Sequence, residues 1–160
     1  MKEITKEWLV GFIEGEGNFN VVLSKNYKKT TPSYPFEYYP ILQFRIFLRK
    51  DDAEVLQKIK DFTGIGKIYQ KDCRYSREKG TNSQDQVCYY ITSLKDLIFL
   101  KDFLKDCEFH TKKKEDKTSF FEILDLKNNK KHLHPEGYNQ IIFLARNMNS
   151  KNRSSREISV

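Results

Sequence analysis

The first apolar segment of the chain predicts a short helix from about residue 6 to 16. Its apolar residues recur at helical spacing, Thr5 precedes them as a capping residue, and Gly15 and Gly17 mark the end. The apolar positions are Trp8, Leu9, Phe12 and Ile13.

The segments that follow change to a period of two, which is typical of strands. Apolar residues occupy every second position from residue 19 to 24 and again from 39 to 50. This alternation predicts two strands, each with one buried face. The segment 25–38 between them contains prolines among polar residues, so a loop is expected there.

The middle of the chain repeats the order of one helix and two strands. Asp51 and Glu54 match a capping box, and the amphipathic segment behind them should stop at Gly64. Segments 67–71 and 87–92 then alternate as a hairpin would.

The last third is predicted to be helical. Ser93 and Asp96 form a second capping pair before an apolar stripe. A basic turn at 112–114 is expected to precede a helix around residues 120–126, and a C-terminal helix opened by a proline should span about 135–148.

The order of elements and the charge predict one α+β domain that binds a polyanion. The alternation of helices and strand pairs favours a four-stranded antiparallel sheet, and no linker divides residues 1–160. The 29 Lys and Arg against 22 Asp and Glu give a formal charge of +7, which favours nucleic acid over an anionic membrane surface. No apolar run has membrane-spanning length and the N-terminus lacks a signal peptide, so an intracellular protein without a membrane partner is expected.

The end of the first helix combines small residues with carboxylates. Gly11 and Gly15 lie four apart on one face, so two such helices could pack closely. Across a two-fold axis, Glu14 or Glu16 would then arrive twice at one point. Two carboxylates there would need a divalent cation such as Mg²⁺, which beside a basic sheet can promote phosphodiester cleavage. An ordinary core helix with a glycine stop has the same periodicity, so the pattern alone leaves both alternatives open.

The specific order of residues adds a family resemblance. Leu9 to Gly17, LVGFIEGEG, resembles position by position the nine-residue signature of the LAGLIDADG homing endonucleases. Later segments resemble further elements of that family in the same order, over most of the chain. They are residues 44–51, 56–59, 64–66, 110–113, 132–137 and 147–149. The resemblance implies an αββαββα-type fold with a saddle-shaped four-stranded antiparallel sheet backed by helices.

The resemblance also implies an activity. Members of the family are homing endonucleases that make a staggered double-strand break in a long, pseudo-palindromic double-stranded DNA target by divalent-metal-dependent hydrolysis. Mg²⁺ is the expected cofactor, with Mn²⁺ as a substitute and no other small-molecule cofactor. A single signature implies a homodimer, and an intron-encoded protein of a mitochondrion, a chloroplast or a microbial cytoplasm is expected. Two alternatives stay open: an intron RNA maturase or non-cleaving DNA-binding protein on the same fold, and a basic α+β module for RNA or protein that only mimics the signature.

The family pattern assigns the centre of the site to the signature helix. Glu16, with Gly15 beside it, is expected to hold the catalytic metal, and Glu14 ranks second. The helix contact between subunits is expected to involve Leu9, Gly11, Phe12 and Gly15.

Basic and strand-face residues complete the expected site. Lys113 is expected near the scissile phosphate, with Lys112 and Lys114 as alternatives. Leu48 stands where some relatives carry a water-positioning glutamine, which is a departure from the family pattern. DNA contacts are expected from Asn20, Val22, Ser24, Lys25, Lys28, Gln43, Arg45, Arg49, Lys67, Tyr69, Lys71, Arg74 and Arg77, with arginine and glutamine suited to base edges and lysine to phosphates.

Overall fold

The computed structural model describes residues 3–27, 34–73, 78–80 and 84–148. Its elements, in chain order, are α1 (Lys6–Glu16), β1 (Gly17–Lys25), β2 (Tyr38–Arg49), α2 (Ala53–Thr63), β3 (Lys67–Lys71), β4 (Gln86–Ile91), α3 (Leu94–Leu104), α4 (Lys113–Asn128) and α5 (Pro135–Asn147). Single turns of 3₁₀-helix at Lys50–Asp52 and Lys131–Leu133 precede α2 and α5. The strands form one sheet in the order β1-β2-β4-β3, and β4 is antiparallel to both its neighbours. The predicted α+β order is confirmed.

The predicted start and end of α1 are confirmed by its caps. The Trp8 backbone N–H donates to the Thr5 hydroxyl at 3.2 Å, which satisfies one of the free donors at the helix start. At the other end, the Gly17 N–H donates to the carbonyl of Ile13. The capping pair before α3 is confirmed as well, because the Asp96 N–H donates to the Ser93 hydroxyl at 3.2 Å.

Two local predictions were wrong. Asp51 does not cap α2: the cap position belongs to Asp52, whose side chain makes no cap hydrogen bond, while the Asp51 carboxylate pairs with Arg49 at 2.8 Å. The helix expected around 120–126 is α4, which has 16 residues and begins at Lys113. Lys113 and Lys114 therefore lie in its first turn and not in a preceding turn.

The contacts divide the chain into two compact units, Met1–Asn18 with Phe44–Cys107 and Phe19–Gln43 with Glu108–Val160. In the first unit, α1 buries Leu9 and Ile13, and β2 buries Phe44 and Ile46. Burying an aliphatic or aromatic side chain of this size stabilises the fold by about 1.5–3 kcal/mol. Tyr89 is also buried, yet its hydroxyl donates to the Ile65 carbonyl at 2.9 Å, which satisfies its polar end.

The second unit has an aromatic core of its own. The ring of Phe19 packs at 5.4 Å from Phe120 and 5.7 Å from Phe121, between ring centroids. Phe109 adds a third neighbour at 6.4 Å. Tilted and edge-on contacts of this kind add to the burial of the rings and fix their orientation.

None of the helices in the described part of the chain combines the length and the apolar character needed to cross a membrane.

Candidate functional site

The junction between α1 and β1 is built around Gly17. A Cβ added to this residue would lie 2.5 Å from the Ile13 carbonyl oxygen and 3.0 Å from the ring of Phe44. Its φ of −67° is ordinary, so glycine is required here for space and not for backbone freedom. Ile13 and Phe44 therefore pack closely around the Gly17 backbone. This packing fixes how the chain leaves the helix and where Glu16, the last helical residue, lies.

Glu16 is exposed at the carboxyl end of α1, and Glu14 is half-buried. The last carbonyls of a helix lack intrahelical partners and carry the negative end of the helix dipole, so a cation is favoured beside Glu16. Among the described residues, no group of three or more His, Cys, Asp and Glu side chains comes together as a metal site. Glu16 is therefore a single exposed carboxylate, which forms no metal site with two further such side chains in the described part of the chain.

One face of α1 carries two glycines that make no use of their small size within the chain. Trp8, Gly11, Phe12 and Gly15 follow each other at helical spacing. A Cβ added at either glycine would meet no atom of the described chain within 4 Å, apart from its chain neighbours and the backbone of its own helix. Trp8 is 44% exposed and its ring stacks on that of Phe12 at 4.8 Å. This surface is open to a partner.

Leu9 does not belong to that surface. Its side chain is 0% exposed and lies in the core of the first unit, so the expectation that it contacts a partner is corrected. The sequence could not separate Leu9 from its neighbours, because Trp8, Leu9 and Phe12 are all apolar while the helix buries only one face.

The strand pairing brings several predicted DNA contacts onto one sheet face. Arg45 lies opposite Tyr90, and Tyr90 opposite Lys67. Arg49 and Lys71 face each other across Gln86 in the same way. Directly opposed residues share a face of the sheet, so four basic residues stand in two rows, and one of them, Arg49, is paired with the Asp51 carboxylate. Tyr69 lies on the same face between these two rows, opposite Cys88.

Arg45 is held by neighbours that the sequence did not single out. Its Nη2 donates to Oδ1 of Asn18 at 3.0 Å, and its guanidinium lies 5.5 Å from the centroid of Phe47. The ring of Tyr90 meets Phe47 edge-on at 5.9 Å and Tyr69 at 5.7 Å. The period of two placed Phe47 on the same face as Arg45, but nothing in the sequence identified Asn18.

The thiol of Cys88 lies on this same face and is buried by its neighbours. Burial raises its pKa to about 11, against smaller opposing effects of Tyr90 and Arg45, so the thiol stays protonated at neutral pH. Burial also raises the pKa of Tyr90, and the charge of Arg45 and a hydrogen bond with it oppose that rise. Both groups are therefore neutral, and Arg45 is the charged group of this row together with Lys67.

The remaining predicted DNA contacts lie on β1 and β2 or outside the described residues. Leu48 is half-buried opposite Val87 and offers no polar atom to a water molecule. In the second unit, Val22 is 38% exposed and Lys25 is exposed, while three polar residues are half-buried: Asn20, Ser24 and Gln43. Lys28, Arg74 and Arg77 lie outside the described residues.

The three lysines at the start of α4 differ in their surroundings. Lys112 is exposed at the cap position and makes no side-chain cap bond. Lys113 is half-buried, and its backbone N–H donates to the Thr111 hydroxyl at 3.4 Å. The Lys114 amine stands 4.0 Å from the Glu108 carboxylate and is exposed. Acidic residues in the same first turn, Glu115 and Asp116, suit the positive end of the helix dipole.

A tyrosine, a lysine and a histidine form a second polar cluster, in the second unit. The Lys127 amine donates to the Pro40 carbonyl at 2.7 Å, and burial lowers its pKa. His132 packs 6.5 Å from the ring of Tyr34, and its Nδ1 is enclosed without a hydrogen-bond partner in the described chain. Burial, and then the charge of Lys127, lower the pKa of His132, while a hydrogen bond with the Lys127 backbone opposes this. The cluster therefore favours a neutral imidazole.

A family model described as LAGLIDADG endonuclease matches residues 9–124 of this chain. The chain therefore belongs to the LAGLIDADG endonuclease family. A relative from Neurospora crassa, a probable intron-encoded endonuclease 3, is 31% identical over 140 residues, which make up 87% of this chain and 24% of the relative. The chain thus spans about a quarter of the length of that relative.

Solved structures of homing endonucleases share the fold. The crystal structure of I-TnaI is 29% identical, with a TM-score of 0.76 over 96% of this chain and 93% of that chain. I-SmaMI bound to uncleaveable DNA is 27% identical, with a TM-score of 0.76 over 91% of this chain and 45% of that chain. I-LtrWI bound to target DNA is 24% identical, with a TM-score of 0.78 over 94% of this chain and 46% of that chain. The homing endonuclease fold expected from the sequence is confirmed.

Proposed function

We propose that residues 1–160 form one endonuclease domain that acts as a homodimer and cuts double-stranded DNA at a specific site with the help of Mg²⁺. The observation that carries this proposal is the position of Glu16. Its carboxylate is exposed at the end of a helix whose Gly11 and Gly15 are open to a partner.

Self-association explains two glycines that the single chain does not need. A glycine inside a helix is less favourable than alanine by roughly 0.5–1 kcal/mol. Nothing among the described residues lies near enough to Gly11 or Gly15 to require the missing side chains. A second copy of α1 packed on the same face would use both, and two-fold symmetry would place the two Glu16 residues at one end of the contact.

The pair of Glu16 carboxylates would hold the divalent metal, with the Gly15 carbonyl as a further oxygen donor. Hard oxygen ligands favour Mg²⁺, with Mn²⁺ as a substitute. A neighbouring structure, I-SmaMI with its uncleaved DNA target, was determined in the presence of calcium ions, which are also hard cations. When bound, the metal would supply charge stabilisation at the oxygens of the phosphodiester. Glu14 is half-buried and ranks second as a ligand.

The basic sheet face would contact the DNA. Arg45, Arg49, Lys67 and Lys71 stand in two rows on that face, and the formal charge of the whole chain is +7. Two copies related by a two-fold axis would read two halves of a pseudo-palindromic target. We place Lys113 near the scissile phosphate, because it is the least exposed of the three lysines at the start of α4.

An intron-encoded origin is part of the proposal, since the Neurospora crassa relative carries that description. A non-cleaving binding protein or maturase on the same fold is the weaker candidate. Such a protein would have no use for an exposed carboxylate between Gly15 and Gly17.

Sequencing of cut fragments from a randomised DNA pool would test the proposal. The full chain is incubated with the pool in Mg²⁺ and, in parallel, in Ca²⁺. The expected result is one enriched, nearly palindromic cut site in Mg²⁺, and bound but uncut fragments of the same sequence in Ca²⁺. Binding without enriched cutting in Mg²⁺ or Mn²⁺ would contradict an endonuclease and favour the non-cleaving alternative.

A further inference from the structure

We infer, on the basis of the proposed DNA-binding function, that Asn18 is a positioning residue that fixes Arg45 for end-on recognition of one guanine in each half of the DNA target. The proposed function places Arg45 on the DNA-facing surface, but it names neither the base that Arg45 contacts nor the residue that holds its side chain. The surroundings of its guanidinium supply both.

Contacts from different sides hold the guanidinium, and a hydrogen bond with Tyr90 is one of them. Asn18 Oδ1 accepts a hydrogen bond from Nη2 at 3.0 Å, between β1 and β2. The ring of Phe47, two residues further along β2, lies 5.5 Å from the guanidinium carbon, within the range of a cation–π contact. Phe47 is in turn held edge-on by Tyr90 at 5.9 Å. The side chain is therefore restrained both in the plane of the guanidinium and on its face.

The burial of Nε shows which end of the Arg45 guanidinium is accessible to DNA. Nε of Arg45 is enclosed and has no hydrogen-bond partner among the described residues. DNA can therefore reach this arginine only through the Nη1–Nη2 end. Nη2 carries two N–H groups and Asn18 accepts from one of them, so Nη2 keeps a further donor beside those of Nη1.

Two parallel N–H donors match the O6 and N7 acceptors that guanine presents in the major groove. A phosphate contact is the less suitable use of this group. Arginine can also bind a phosphate with both terminal nitrogens, but a phosphate contact carries no sequence information and can be made by the exposed Lys67 and Lys71 on the same face. Holding a long side chain in the bound conformation lowers the entropy cost of contact and favours one base over the others.

The guanine belongs to the inner part of each half-site. Asn18 lies two residues beyond Glu16, so the chain between them spans at most about 7 Å. The base pair read by Arg45 is therefore near the phosphates that are cut, and its recognition is linked through Asn18 to the end of α1. Contacts further along the strands would read the outer base pairs.

Base preference at each position of the target provides the test. The full chain and its variants are incubated with a randomised DNA pool in Ca²⁺, and bound fragments are sequenced. For the native chain we expect guanine at one inner position of each half-site. Asn18→Ala should lower that preference about tenfold, the size of one lost bidentate contact, and leave the other positions unchanged. Asn18→Asp keeps the acceptor oxygen and should keep the guanine. Asn139→Ala, which removes an exposed carboxamide from α5, is the matched control and should change nothing.

Phe47→Leu gives a second, independent variant, which should lower the same preference at the same position. Because a purely structural role would reduce binding to all sequences, a change at a single position distinguishes positioning from a folding defect. An unchanged guanine preference in both Asn18→Ala and Phe47→Leu would overturn this inference, whether or not the native chain cuts DNA. Cutting by the native chain in Mg²⁺ tests the proposed function separately, and failure of the native chain to bind any DNA would overturn both.

Discussion

A Cβ on Gly17 would lie 2.5 Å from the carbonyl oxygen of Ile13 and 3.0 Å from the ring of Phe44, whereas a Cβ on Gly11 or Gly15 would meet nothing within 4 Å in the described chain beyond the backbone of its own helix and its chain neighbours. Three glycines of one short signature therefore serve two different purposes. Gly17 is required by the packing of the single chain. Gly11 and Gly15 have open space around them, and under the proposed function a second copy would occupy it.

Replacing Gly17 by alanine should destabilise the chain itself. The new methyl group would overlap a backbone oxygen that cannot move without disturbing the helix end. We expect a loss of about 1–3 kcal/mol in the free energy of unfolding, measured by urea denaturation. A variant as stable as the native chain would show that the helix–strand junction is not fixed by this contact.

Replacing Gly11 by alanine should have the opposite effect on the single chain and weaken the dimer. Alanine favours the helix by roughly 0.5–1 kcal/mol and has open space at this position. Sedimentation equilibrium should show weaker self-association, while denaturation at concentrations where the chain is monomeric shows equal or higher stability. Gly15→Ala should have the same effects on self-association and on stability as Gly11→Ala. Unchanged self-association in both variants would argue against contact through this face of α1.

Mild acid should destabilise the protein through His132. Burial and Lys127 lower its pKa in the folded state from an ordinary value of 6.5, so the unfolded chain binds the proton first as the pH falls. The contribution to stability is therefore present above pH 6.5 and declines below it, down to the folded pKa. We expect the melting temperature to fall between pH 7.5 and pH 5.5, and His132→Gln to reduce that fall.

His134 provides the matched control for this prediction, because it lies two residues away and is exposed. The variant His134→Gln should keep the full pH dependence of the native chain. If both histidine variants show the native dependence, the acid sensitivity arises from other groups, and the lowered pKa of His132 is not its cause.

Lys113 and Lys114 should differ in their effect on cleavage. A basic group close to the scissile phosphate stabilises charge in the transition state, so Lys113→Met should lower the cleavage rate by about 10²-fold with DNA binding nearly unchanged. Lys114→Met is the control, because its exposed amine already stands 4.0 Å from Glu108. Single-turnover cleavage with saturating enzyme would measure both. Equal rate losses would assign the lysines a shared, non-specific role in phosphate binding.

The features predicted from sequence are those set by neighbours along the chain. The Thr5 cap and the end of α1 depend on contacts three or four residues apart, and both were predicted with the observed bounds. The capping role given to Asp51 failed because Arg49, two residues earlier, binds the same carboxylate as an ion pair. Local patterns show which partners are near, but they do not decide between two partners that compete.

Features that depend on distant pairing were not predictable. Asn18 and Arg45 are 27 residues apart and meet only because β1 and β2 are neighbours in the sheet. The opposition of Arg45, Tyr90 and Lys67 likewise depends on strand register, which the period of two does not fix. The burial of Leu9 needed the orientation of α1 about its own axis, and apolar residues on both faces obscured it.

Cleavage and binding of a selected DNA target by Glu16→Gln, compared with the native chain, test the central claim most directly. The substitution keeps the size of the side chain and removes the charge that would hold the metal. We expect the native chain to cut the target in Mg²⁺, and the variant to bind the same target with similar affinity while cutting at least 10²-fold more slowly. A Glu16→Gln protein that cuts as fast as the native chain would contradict a metal-dependent endonuclease centred on this residue.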